Sequence, residues 1–201
     1  MSVLGEAAAS GSSKGDVEMD GLGPIWSHHV DLLNQAQVFL TRMQDASPVG
    51  YVFGQRLGPH LRHILEHYTA LFEALIEREV GRSSTVDYDS RPRNRMVETD
   101  PASARSSIEA TLRTLLDLKA CFPHDVDLPL MAKFATGPLG ASSLTVLTSL
   151  GRELLFLESH TIHHFALLAK YARRLGVELS ADFGKAPATI AYERRMSAEG
   201  H

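Results

Sequence analysis

His160 and His164 are four residues apart in the run Glu158-Ser159-His160-Thr161-Ile162-His163-His164. On a helix, at about 100° per residue, that spacing puts both imidazoles on one face a turn apart, as paired metal ligands require. Leu157 shares the face and Leu154, Phe156 and Phe165 flank it, so the pair sits in an apolar stripe where an unpartnered imidazole is costly. A second group, His60, His63 and His67, lies far earlier in the chain. A third ligand for a tetrahedral or octahedral ion must come from a facing helix, and any of these histidines can supply it. Helical geometry sets His60 and His67 nearest the apolar side of their helix and His63 toward its flank, and spacing alone does not choose among them. One histidine on such a face is most simply a core residue. Two clusters on two long helices point to a metal.

Other chemistries lack their residues. A zincin helix needs Glu at 161, which is Thr, and no Glu is followed three residues later by His, as a di-iron bundle requires. There is no haem-attachment motif, no phosphate-cradling glycine loop and no nucleophile elbow. Glu153, seven residues before His160, falls on nearly the same face. It either faces the ligands or a substrate, or is a first-turn glutamate favoured by the helix dipole. The run Asp87-Tyr88-Asp89-Ser90-Arg91-Pro92-Arg93 combines an aromatic, acids and guanidinium groups able to grip a carboxylate through two hydrogen bonds. A solvated loop is its bland alternative.

Long helices must position these groups. From Pro24, apolar residues recur at helical intervals up to Ser47-Pro48, and a second helix begins between Gln55 and Pro59 and runs toward Gly81. Residues 82–100 are polar and aperiodic and predict a long connection. Asp100-Pro101 opens a third helix ending near Cys121. The short, partly β-branched runs of 125–150, split by Gly137-Pro138-Leu139-Gly140, predict a small β-hairpin. The last long helix spans about Arg152 to Leu175, with Glu153 near its start and Arg173-Arg174 near its end, and Pro187 to Met196 predicts a short fifth. The fold class is all-α, a four-helix bundle with a hairpin inserted before the last long helix.

With 201 residues, the chain has room for one domain plus tails, here residues 24–201 behind a Gly/Ser/Ala-rich flexible segment, 1–23. That segment lacks a basic start and an apolar stretch, so no secretory signal is expected, and no run is long and apolar enough to span a bilayer. A net charge of −4 gives no excess of cations for a phosphate backbone, which argues against nucleic acid as a partner. A lone cysteine, Cys121, can close no intramolecular disulfide, in keeping with a reducing cytoplasm.

The pattern G-P-H-L-R-H-I-L-E-H-Y together with S-L-G-R-E-L-L-F-L-E-S-H-T-I-H-H resembles the DinB-like superfamily over roughly residues 25–175. The resemblance implies an up-down-down-up four-helix bundle. It also implies a divalent metal, Zn, Ni or Fe, held by His63, matching the family's helix-two ligand, and by the pair His160 and His164. Relatives in that superfamily include thiol-dependent transferases and isomerases. The implied function is therefore transfer or isomerisation of a small-molecule substrate with a low-molecular-weight thiol, and the residue types read above offer Tyr88, Arg91 and Glu153 as the groups near that substrate. The alternative is a non-catalytic bundle stapled by a structural metal, with a homodimer formed through helix faces.

Overall fold

The computed structural model describes residues 21–47, 51–82 and 84–200. Of the segment expected as a flexible tail, residues 1–20 lie outside these; Leu22 is buried and its N–H donates to the Pro123 carbonyl. The chain is mostly helical with a small three-stranded sheet. No helix among the described residues is long and apolar enough to cross a membrane.

Four long helices carry the core. Helix α1 (Gly23–Ala46) has Pro24 in its first turn and buries Trp26, Leu33, Phe39, Leu40 and Met43 on one stripe. After a single turn, α2 (Phe53–Arg56), helix α3 (Gly58–Glu79) begins with Pro59 in its first turn, where a missing N–H is harmless. Helix α5 (Pro101–Cys121) is capped by the Asp100 carboxylate, which accepts from the N–H groups of Ala102 and Ser103. Helix α6 (Leu150–Arg174) is capped by the Ser149 hydroxyl, which accepts from Arg152 N–H. Helices α1 and α3 each pack against both α5 and α6. A shorter helix, α7 (Pro187–Glu199), follows.

The connection 82–100 departs from expectation. It holds a strand, β1 (Thr85–Asp87), and a short helix, α4 (Arg95–Thr99), whose start is capped by the Asn94 side chain accepting from Met96 N–H. Both are too short for a period to show in sequence. The hairpin is present as β2 (Pro129–Thr136) and β3 (Ser142–Ser149), antiparallel from Pro129↔Ser149 to Thr136↔Ser142. It is not isolated: β1 pairs parallel with β2 (Val86↔Ala132), giving the order β1-β2-β3. Val86, Leu130 and Ala132 turn inward, while β3 lies mostly exposed before running directly into α6. Helix α4 sits so closely on the start of α3 that a Cβ at Gly58 would fall 1.7 Å from the Glu98 carbonyl oxygen.

Candidate metal centre

Helix α3 presents His60, His63 and His67 toward His160 and His164 of α6. One donor nitrogen each from His63, His67 and His160 lies within 4.8 Å of the other two. The rings touch: His67 stacks on His160 at 4.1 Å between centroids, and His63 is 4.9 Å from His160 and 4.8 Å from His164. His164 is also 4.6 Å from His160, and its Nδ1 shares a proton with His60 Nδ1 at 2.8 Å. Helical spacing produces this directly, since residues three, four and seven apart return to one side of α3 and of α6.

The cluster is held neutral. Burial lowers the imidazoles first, and their mutual repulsion adds to it, taking His63 and His164 to about 3 and His160 to about 4. His67 is likewise lowered to about 4 by burial, against a hydrogen bond to the His63 carbonyl that raises it. A carbonyl only accepts, so His67 Nδ1 carries a proton and donates it at 2.8 Å, leaving the lone pair on Nε2. His160 Nε2 is buried and has no hydrogen-bond partner. Neutral nitrogens converging from two helices, one of them buried without a partner, are the donor set that a borderline divalent ion takes. The residues present fit a metal.

A layer of aromatic and ionic groups backs the imidazoles. Tyr88, just beyond β1, stacks on His67 at 5.3 Å and donates to Glu153 Oε2 at 2.7 Å. Glu153 is fully buried, and its Oε1 accepts from Thr148 at 2.7 Å and from Arg152 at 3.1 Å. Burial and the adjacent Glu153 carboxylate push the Tyr88 phenol up, so it stays a donor. Phe156 stacks on His160 at 5.7 Å and meets Tyr88 at 5.1 Å. Arg91 reaches in from the β1–α4 segment, with Nη1 donating to His63 Nδ1 and lying 3.2 Å from His67 Nδ1.

His63, His160, His164, Tyr88, Arg91 and Glu153, and with them the alternative ligands His60 and His67, occupy one region, in different roles. His63 and His160 are in the tightest donor set, Arg91 touches it, and Tyr88 covers His67. Glu153 reaches the imidazoles through Tyr88, and its oxygens are bound within the protein. His164 contacts His63 and His160 by ring while hydrogen bonding to His60; the closest third donor is His67, from the apolar side of its helix. No local pattern marks Glu66, which is buried and accepts Asn94 N–H at 2.9 Å, tying the Arg91 segment to α3. The fully buried His29 is signalled only by its place between Trp26 and Leu33 on the apolar stripe of α1.

No family model matches the chain. No solved structure matches it. Among curated proteins it is similar to FK506-binding protein 5 of Rhizopus delemar, at 28% identity over 124 residues, which is 60% of this chain and 31% of that protein. The chain thus spans less than a third of the length of that relative.

Proposed function

We propose that this chain is a DinB-like four-helix bundle whose histidine centre holds one divalent ion and serves the transfer or isomerisation of a small molecule with a low-molecular-weight thiol. The observation that carries the metal is His160 Nε2, buried without a partner amid neutral imidazoles. His63 and His160 would hold the ion; His67 contends for the third place by distance and His164 by the resemblance. Such an ion lowers the pKa of a bound water or thiol and supplies a nucleophile near neutral pH.

The protein's own groups prepare that chemistry. Burial keeps the imidazoles unprotonated, the His63 carbonyl fixes the tautomer of His67, and Tyr88 and Phe156 wall the donors with rings. Glu153 locks Tyr88 in place without offering an open oxygen to a substrate.

A second function is favoured by one observation: His63, His67, His160 and His164 form a continuous ring-to-ring cluster, and four imidazoles would close a tetrahedral ion as structural sites do. Protein purified without a histidine tag, loaded with cobalt and mixed with a low-molecular-weight thiol, separates the two. A sulfur-to-metal charge-transfer band is expected. If neither thiol, azide nor cyanide perturbs the spectrum and metal removal only lowers thermal stability, the site is structural.

A further inference from the structure

Arg91 is a cation without an anion. Among the described residues no carboxylate lies within ion-pair distance of it. Glu66 and Asp89 are near enough to favour its charge, but Glu66 accepts Asn94 N–H and Asp89 accepts Ala135 N–H, while Arg62 and Arg93 add further positive charge. Its Nε is buried and has no hydrogen-bond partner. What Nη1 finds instead is His63 Nδ1.

A neutral imidazole has one lone pair in its ring plane and one N–H. With His63 Nδ1 accepting from Arg91, the proton is on Nε2. An ion bound to Nδ1 takes the lone pair that the guanidinium uses. An ion bound to Nε2 moves the proton to Nδ1, where it faces the N–H of Arg91 donor to donor. Either way the contact with Arg91 ends. His67 offers no refuge, since its Nδ1 already donates to the His63 carbonyl.

The geometry points to mutual exclusion: ion binding at His63 releases the Arg91 guanidinium, which then serves as the receptor for a small carboxylate beside the ion. This rests on the metal centre proposed above. A carboxylate is the ligand class because the planar fork of a guanidinium matches two carboxylate oxygens: the freed Nη1 restores the end-on edge it makes with Nη2, and the partnerless Nε is a further donor on the edge it shares with Nη2. The added charge of the ion draws an anion to the same place. Loading of the centre thereby makes a substrate subsite that Arg91 otherwise spends on His63.

The test uses the full chain, stripped of metal by chelation, as wild type, Arg91→Gln and Arg91→Lys. Cobalt is titrated against a competing chelating dye, and acetate is then titrated by calorimetry into cobalt-loaded and stripped protein. Arg91→Gln should bind cobalt about tenfold more tightly than wild type, because a competing charged hydrogen bond is gone. Loaded wild type should bind acetate at least about tenfold more tightly than stripped wild type, loaded Arg91→Gln or loaded Arg91→Lys, since lysine keeps the charge but not the fork. Unchanged or weaker cobalt binding by Arg91→Gln, or equal acetate binding by loaded and stripped wild type, overturns the inference and leaves the metal centre standing. Wild type that binds no cobalt overturns both.

Discussion

His29 in α1 is fully buried, His160 in α6 is half-buried with its Nε2 out of contact with water, and both are lowered to about 4, yet their surroundings ask for different things. His29 Nε2 donates to the Leu154 carbonyl at 3.1 Å, so its Nδ1 must accept, and the Tyr68 hydroxyl donates to it at 2.9 Å. Every polar atom of that ring is satisfied by protein. His160 Nε2 is satisfied by nothing, and its neighbours are other imidazoles that cannot all donate to one another. Burial is therefore not what marks a ligand. What sets His160 apart is a buried nitrogen with no partner among converging imidazoles.

The largest effect expected from this contrast is on metal content. Replacing His63 and His160 together with Ala should reduce bound metal from about one ion per chain to less than a tenth of that, while His29→Ala should keep the full complement. Elemental analysis checks both, and metal lost from His29→Ala would erase the distinction.

Next is the acid sensitivity of the satisfied histidine. The folded-state pKa of His29 is depressed from 6.5 to about 4, so the stability it contributes is complete above about pH 6.5 and is lost as pH falls through about 4. The shift corresponds to an amount on the order of 3 kcal/mol. Urea unfolding of wild type and His29→Gln near neutrality and near pH 4 should show the wild-type advantage shrinking by roughly that amount. A constant gap would mean that His29 does not titrate as a buried neutral ring.

The third ligand can be sharpened by comparing His67→Ala with His164→Ala. The variant that removes a ligand should weaken cobalt binding by roughly a hundredfold, and the other, which alters only a neighbour of the ligands, by about tenfold or less. The shorter distance predicts the larger loss for His67; the reverse ranking gives the place to His164. The smallest effect concerns the support. Glu153→Gln keeps the shape but weakens the bonds from Tyr88, Thr148 and Arg152, and should cost about 1–2 kcal/mol in thermal unfolding with little change in metal content.

Much of the positioning was legible in the chain itself. Pro24 marks a helix start by its fixed backbone angle, Asp100-Pro101 marks another by that and by a side-chain cap, and the apolar periods of α1, α3, α5 and α6 are long enough to stand out. The periodicity that set His67 on the apolar side of α3 agrees with its burial, at 5% exposed. What was hidden depends on distant partners. β1 exists because Val86 finds Ala132, and its three residues carry no pattern of their own. That Arg91 meets His63 follows from this pairing and from the tie between Asn94 and Glu66, which no local spacing encodes.

The close approach at Gly58 carries a lesson for sorting sequences. The backbone of α4 can rest on the start of α3 only because position 58 has no side chain, and α4 closes the segment that carries Tyr88 and Arg91. Position 58 is two residues before His60, so the short string G-P-H-x-x-H encodes the cover of the centre as well as two of its imidazoles. A chain that kept these histidines but carried a bulky residue at that glycine would have to move α4 off the start of α3, and with it the segment that folds Arg91 back.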